Sequence, residues 1–135
     1  MAGGMGNTWN NALLNALLGG AAFPAVPTDT YIALFTAAPT DAGGGTEVSG
    51  GSYARVHAVN NTGNWGANTS TESKSNAAQL TFPRATADWG TVVGYGIFDA
   101  ASGGTLLFWA PITAQVINSG VQAFFDIGQL TVSAA

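Results

Sequence analysis

Cysteine is absent from this 135-residue chain, and charged side chains are scarce, since three Lys or Arg and seven Asp or Glu make up only 7% of it. The lack of cysteine excludes disulfide bonds and thiolate ligands for zinc. So few cations make a poor surface for nucleic-acid phosphates. No apolar run reaches the roughly 18 residues that a membrane-spanning helix needs. We therefore expect neither a nucleic-acid partner nor a membrane partner.

The amino end also lacks positive charge, because the first basic residue is Arg55. A secretory leader needs a basic start, so none is predicted, and we expect a protein that is made inside the cell and not exported. What the chain does contain is small and apolar: 47% of its residues are hydrophobic, and 19 are glycine. A composition with so few charged residues suits a protein that is held within a larger assembly.

The first part of the chain predicts a glycine-rich arm and one short helix. Met1–Gly6 is rich in glycine, which resists ordering, so we expect a flexible arm. Asn7 or Thr8 is expected to cap the helix, and Gly19-Gly20 to end it. Large apolar residues recur at helical spacing between these signals and form one stripe: Trp9, Leu13, Leu14, Leu17 and Leu18.

This stripe has two interpretations, which the sequence leaves open. It can pack on the protein's own body, or it can form an interface with a neighbouring subunit. The segment Gly19–Pro27 contains glycine and proline and is predicted to act as a hinge. We therefore divide the chain into residues 1–27, the arm, helix and hinge, and residues 28–135, the body.

The body predicts an all-β fold. Seven or eight short segments rich in Val, Ile and aromatic residues are separated by turn signals, which is typical of a single-domain antiparallel β-sandwich or jelly roll. Asp99–Thr105 and Asn118–Gly120 are predicted hairpin turns, and Asn60–Asn76 a long exposed excursion. The predicted strands are Thr30–Thr36, Tyr53–Val59, Ala77–Phe82, Thr91–Phe98, Thr105–Trp109, Gln115–Ile117, Val121–Ile127 and Leu130–Val132.

Residues able to do acid–base or metal chemistry are few. His57 is the only histidine, and it lies in a predicted strand without a nucleophile motif nearby. Asp88 and Asp99 flank a strand, where Asp more often caps backbone amides. Asp41 and Glu47 share a glycine-rich loop but lack the regular acidic spacing of a calcium loop. We therefore predict no enzyme, no metal and no cofactor.

The tryptophans are expected to divide between core and surface. Trp89 and Trp109 lie beside apolar runs and are predicted to be buried. Trp65 lies in the polar excursion, so we expect its ring at the surface, where it could contact a glycan.

Two blocks of sequence resemble a known family. The first is Tyr31–Arg55, and the second is Thr81–Trp109, which contains Ala-Asp-Trp-Gly and Gly-Ile-Phe-Asp-Ala. Both resemble small virion proteins of tailed bacteriophages, labelled either tail-fibre or head decoration (cement) proteins. The preceding helix, ending in Leu-Leu-Gly-Gly, is similar to that family too. The resemblance implies a compact β-rich body, assembly as a homotrimer, and no catalysis.

Two roles in the virion follow from the resemblance. A fibre shaft needs heptads or β-repeats, which are missing, and a compact domain of this length has a radius of gyration of only ~14 Å. We therefore expect a trimeric capsid decoration (cement) protein that binds the major capsid protein on the outer head surface. The alternative is a tail-fibre or tail-tip domain that recognises a host surface glycan through Trp65.

Overall fold

The computed structural model describes residues 3–66 and 73–133, and this part of the chain forms one helix and ten strands. All strand pairs are antiparallel, which confirms the predicted class of a mainly β protein with one short N-terminal helix. The elements are β1 (Gly4–Met5), α1 (Asn7–Gly19), β2 (Asp29–Ala37), β3 (Thr46–Glu47), β4 (Val56–Val59), β5 (Ser73–Ser75), β6 (Leu80–Thr81), β7 (Gly90–Phe98), β8 (Leu106–Ile117), β9 (Phe124–Phe125) and β10 (Thr131–Ser133).

A six-stranded sheet in the order β1-β8-β7-β2-β3 forms the centre of the protein, with β4 also paired to β2. In this sheet β7 lies between β2 and β8, and Ala33 is opposite Gly96. Side chains from all three strands crowd Gly96, since a Cβ there would lie 2.9 Å from the Phe98 ring and 3.1 Å from the Phe35 ring and the Leu106 side chain. The predicted glycine-rich turn between Phe98 and Leu106 joins β7 to β8 as a hairpin.

Two short ladders, β5–β10 and β6–β9, supply the layer that packs against the sheet. The Tyr95 ring of β7 makes an edge contact with Phe125 of β9, at 5.7 Å between centroids, and its hydroxyl donates to the Thr131 carbonyl of β10. Residues from both layers form one core cluster: Ile32, Leu34, Val48, Ala58, Trp65, Leu80, Phe82, Ala85, Trp89, Val92, Tyr95, Ile97, Ile117, Leu130 and Val132.

The N-terminal arm is not flexible over its described part, so that prediction is wrong for residues 3–6. Gly4 and Met5 pair with Trp109 and Phe108 at the edge of the sheet. A Cβ at Gly6 would lie 2.1 Å from the Leu106 carbonyl oxygen, so glycine here permits close backbone approach. Met1 and Ala2 lie outside the described residues.

The helix begins one residue earlier than predicted and ends where the glycines indicate. Gly6 is the N-cap residue and no side chain caps the helix, so the prediction of an Asn7 or Thr8 cap is wrong. The Asn7 amide instead donates to the Asp41 carbonyl at 2.7 Å, so a loop supplies an acceptor that a cap would provide. Gly20 adopts the left-handed conformation, with φ of 68°, and ends the helix as expected.

The predicted break between two strands near Pro111 is wrong. We expected a strand to stop before Pro111 and another to start at Gln115, but β8 runs through both. Pro111 lies opposite Gly94 beside a register shift between Val92 and Gly94, and proline is tolerated at such bulges because the ladder is already interrupted there. Three other strands are shorter than predicted, since β6 and β9 have two residues each and the Tyr53–Val59 segment pairs only from Val56. By contrast, β2 and β7 extend slightly beyond their predicted ends.

The predicted excursion 60–76 is described only at its two ends, and residues 67–72 lie outside the described part. Its carboxyl end is not exposed, because Asn76 is buried and links two loops. The Asn76 amide group donates to the carbonyls of Ala78 and Asp126, and its oxygen accepts from the Leu130 amide. Within the described residues, no helix has the length and apolar character needed to cross a membrane.

Candidate functional site

Helix α1 is the most exposed apolar element of the described structure. None of its 13 residues is buried. Leu14, Leu17 and Leu18 have exposed fractions of 50%, 70% and 85%, and they point away from the body. Trp9 and Leu13 lie on the inner side and line a cavity beneath the helix. The five residues predicted as an interface therefore divide into an inner pair and an outer stripe, by which we mean Leu14, Leu17 and Leu18.

The base of this helix is fixed to the sheet. Just before the helix, the Gly6 amide donates to the Leu107 carbonyl at 2.8 Å. The Trp109 indole N–H donates to the Asp41 carboxylate at 2.7 Å, which holds the loop that contacts Asn7. The outer stripe is thus presented from an anchored support. No charged side chain lies on the helix, so an apolar partner could cover it without desolvating a charge.

Trp65 does not lie at the surface, so the predicted exposure of this ring is wrong. Its exposed fraction is 7%, and its indole N–H donates to the Thr30 hydroxyl at 3.1 Å. The Thr30 hydroxyl in turn donates to the Ala58 carbonyl. The polar neighbours of Trp65 in sequence predicted a loop at the surface, whereas the ring itself fills the core. Trp89 and Trp109 are buried, as predicted.

The carboxylates that we weighed for acid–base work hold loops instead. The predicted turn-capping role of Asp99 is confirmed, because its carboxylate accepts from the Thr105 amide at 2.7 Å. Asp88 likewise accepts from the Ser119 amide at 2.8 Å. Within residues 3–66 and 73–133, no three His, Asp or Glu side chains are grouped so that they could hold a metal ion.

His57 lies on the exposed side of strand β4. Its Nε2 is 2.6 Å from the Asp29 carboxylate, and its ring stacks on Tyr31 at 5.1 Å between centroids. The hydrogen bond with His57, together with one from Thr28, lowers the pKa of Asp29 below its ordinary value. Among the described contacts, the hydroxyl that bonds to this pair is that of Thr28, which donates to the Asp29 carboxylate and not to the imidazole. The geometry of the pair is that of a cross-strand surface contact.

Sequence reasoning missed a cluster around Arg55, whose side chain is only 5% exposed. Its guanidinium donates to both oxygens of Glu47, at 2.9 and 2.8 Å. A third guanidinium nitrogen donates to the carbonyls of Ala100 and Gly103 in the β7–β8 turn, and the cation lies 4.0 Å from the centroid of the Phe98 ring. One side chain therefore ties β3 to the tip of the central hairpin.

The Arg55 cluster determines the ionisation of Glu47. Burial alone raises the pKa of this carboxyl, but hydrogen bonds from Arg55 and Tyr53 outweigh it and leave the pKa below its ordinary value. The Tyr53 hydroxyl donates to Glu47 at 2.7 Å and accepts from the Leu34 amide, and burial raises the pKa of Tyr53. The only sequence signal was the presence of Tyr53 and Arg55 at the end of the first family-like block. The buried Arg55 guanidinium uses all three of its nitrogens in these contacts, so the Glu47–Arg55 pair holds parts of the fold together.

Comparison with known proteins agrees with the resemblance seen in the sequence. The family model described as "Podophage GP4 fiber I protein gp80" matches residues 4–133, which is nearly the whole chain. The search of curated proteins found no match. A fibre protein of a podophage is a virion protein, so the predicted relation to small virion proteins of tailed phages is confirmed. The chain belongs to the Podophage GP4 fiber I protein gp80 family, and it is a structural protein associated with the phage virion.

Proposed function

We propose that this protein is a non-enzymatic fibre subunit that binds a neighbouring protein of the virion through the outer stripe of α1. The observation that carries the proposal is the exposure of Leu14, Leu17 and Leu18 on a helix whose base is anchored to the sheet. Fully burying a leucine contributes about 1.5–3 kcal/mol. Three such side chains per subunit give a modest contact, which repetition around a symmetric particle strengthens.

The proposal that the protein is not an enzyme draws on the carboxylates. Asp41, Asp88 and Asp99 each accept a hydrogen bond from a fixed N–H, and Glu47 is paired with Arg55. Groups engaged in this way hold the fold and are poorly placed to move protons for a substrate.

The proposed working state is a homotrimer, as the resemblance implies. Size-exclusion chromatography with light scattering measures this directly on the purified full chain. A mass of three chains at micromolar concentration supports this state, and a mass of one chain at every concentration contradicts it.

The outer stripe is tested by Leu17→Glu, with Asn15→Glu as the matched control. Both variants place the same new charge on the exposed side of the same helix, but only the first lies in the stripe. Phage that lack the gene are supplied with each variant, and purified particles are assayed by immunoblot. We expect Leu17→Glu to lower incorporation at least tenfold and Asn15→Glu to change it by less than twofold. Normal incorporation of a folded Leu17→Glu variant contradicts the proposal.

A second candidate, decoration of the outer head surface through the major capsid protein, is favoured by the sequence's lack of shaft repeats. Copy number separates the two roles. A count close to that of the major capsid protein favours decoration, whereas a few dozen copies or fewer favour a fibre. Glycan recognition through Trp65 is not proposed, because that indole is buried and its N–H is already bonded.

A further inference from the structure

A cavity of about 270 Å³ lies between α1, the segment after it and the central sheet. For comparison, an apolar cavity of ~150 Å³ in another protein takes up benzene. The space is therefore large enough for a ring with a chain, or for a medium-length acyl chain. The volume lies just below the range of about 300–1,000 Å³ that is typical of pockets for drug-sized ligands, so we expect a small ligand.

The cavity has the lining of a small-molecule site. Aromatic rings from four separate parts of the chain contribute to its wall: Trp9, Phe23, Trp65 and Phe108. The Trp9 and Phe23 rings lie in contact, at 5.6 Å between centroids. Such walls, with a few polar groups, are typical of pockets that bury an apolar ligand and orient its head group.

Two of the polar residues at the cavity already have partners. The Thr30 hydroxyl accepts from Trp65 and donates to Ala58. The Asn60 amide donates to the Pro27 carbonyl at 2.8 Å. The single proton of the Thr30 hydroxyl is therefore already used, and one N–H of the Asn60 amide is used as well.

Trp9 is different, because its indole N–H is buried and has no acceptor. Buried donors are almost always hydrogen-bonded, since water is no longer there to replace a missing partner. Lys74 also lines the cavity, and no Asp or Glu of the described residues lines it or forms an ion pair with Lys74. Although the chain has a net charge of -4, the described residues around this cavity thus include one cation, Lys74, and one buried donor without an acceptor, the Trp9 N–H.

We propose that the cavity binds a small molecule with an apolar chain and an anionic head group, of the class of a medium-chain carboxylate. The apolar chain of the ligand fills the aromatic-lined space, and its anionic head group accepts hydrogen bonds from Lys74 and the Trp9 N–H. This site is separate from the outer stripe, which lies on the opposite side of the same helix.

The test is calorimetric titration of the full chain with decanoate, decanol and decyltrimethylammonium, below their micelle concentrations. These probes share the chain and differ in the head group. We expect saturable one-to-one binding of decanoate, weaker binding of decanol by at least fivefold, and no measurable binding of the cation. Absence of saturable decanoate binding overturns the proposal.

Charge variants test the head-group contact. Lys74→Met is expected to weaken decanoate binding at least fivefold and to change decanol binding by less than twofold. Arg84→Met, which removes a positive charge from an exposed position outside the cavity lining, should leave both affinities within twofold. Trp9→Phe keeps the aromatic wall but lacks the donor, and should weaken decanoate binding two- to tenfold. Equal behaviour of Lys74→Met and Arg84→Met overturns the proposal.

Substitutions that fill the cavity test whether the apolar chain of the ligand lies in it. Leu107→Phe should abolish binding of decanoate and decanol, and Val26→Trp, at an exposed position on the rim, serves if Leu107→Phe does not fold. Unchanged decanoate binding by a folded filled variant overturns the proposal. If a neighbouring copy fills the cavity instead, decanoate does not bind and Leu107→Phe lowers the oligomeric mass, which also overturns it.

The same head-group chemistry occurs in free carboxylates and in acidic lipids. Co-sedimentation with phosphatidylglycerol vesicles separates these sources. If decanoate binds but the protein does not co-sediment with vesicles, the ligand is a free carboxylate. If the protein co-sediments and this depends on Lys74, the ligand is an acidic lipid.

Discussion

The Arg55 cluster and the region beneath α1 differ in how completely their polar and apolar groups are satisfied. Around Arg55, a guanidinium reaches a carboxylate, two carbonyls and an aromatic face, and the Tyr53 hydroxyl both donates and accepts. Beneath α1, an indole N–H has no acceptor and a cavity of about 270 Å³ is open. The polar groups around Arg55 therefore find their partners within the same chain. On α1, by contrast, the outer stripe is exposed on one side and the Trp9 N–H lacks an acceptor on the other.

This difference predicts which substitutions affect the stability of the fold and which affect assembly into the virion. The sheet and its hairpin turn hold themselves together, so changes there should appear in the folding of the isolated protein. The outer stripe contributes little to the fold, so changes there should appear in the particle. The following predictions test this comparison, starting with the largest effect on the free energy of unfolding.

Arg55→Met is expected to be the most damaging of these changes. It leaves Glu47 partly buried without its partner and removes the bonds to Ala100 and Gly103. Removing one partner of such a pair costs about 3–5 kcal/mol. Urea unfolding of the isolated protein measures the loss. Arg55→Lys, which keeps the charge but not the two-pronged geometry, should fall between Met and wild type. A loss below 1 kcal/mol for Arg55→Met would show that the cluster is not the anchor we describe.

Gly6→Ala is expected to come next. The new Cβ would meet the Leu106 carbonyl, so the strand before the helix must move, at a cost of about 1–3 kcal/mol. Gly19→Ala is the matched control, because nothing lies within 4 Å of that position and alanine is the better helix former. This control should be neutral or stabilising by up to about 1 kcal/mol. Equal effects of the two substitutions would contradict a fixed helix base.

We expect Glu47 to make the stability of the folded protein depend on pH in the acid range. Its pKa is lower in the folded protein than in the unfolded chain, so the unfolded chain binds its proton at higher pH. The stability that this carboxylate contributes is therefore fully present above its ordinary pKa of 4.5 and is lost as the pH falls through the lower, folded value. Thermal melts between neutral and strongly acid pH measure this. Glu47→Gln should have a flatter acid limb than wild type, and parallel limbs would exclude Glu47 as a source.

Leu17→Glu should have the smallest effect on folding. Its side chain is already 70% exposed, so the isolated protein should change in stability by no more than about 0.5 kcal/mol. Together with the expected loss from particles, this result would place the function of the residue in assembly. A loss of more than 1.5 kcal/mol in urea unfolding would instead mean that Leu17 packs on its own body.

The main elements could be predicted because their signals are local. The strands β2 and β7 follow from runs of β-branched and aromatic residues, and the helix end follows from Gly20, which adopts positive φ. The turn at Asp99 could be predicted for the same reason, since the carboxylate caps an amide only six residues away. β1 could not, because two residues carry no periodicity and their pairing partner lies about 100 positions further along the chain.

The candidate site was predicted only in part. Spacing placed Trp9 and the four leucines on one helix, but it could not say which of them face the sheet. Trp65 was misplaced because the polar residues around it in sequence say nothing about the Thr30 hydroxyl that its indole reaches.

By itself, the sequence determined the class of the fold, the position of its helix and its membership of a virion protein family, because periodicity, turn residues and motifs are short-range properties of a chain. Only the tertiary structure decided that the glycine arm is a strand, that Arg55 clamps the central hairpin and that the helix covers a cavity. Each of these depends on groups far apart in sequence that meet after folding, and no local pattern encodes that meeting.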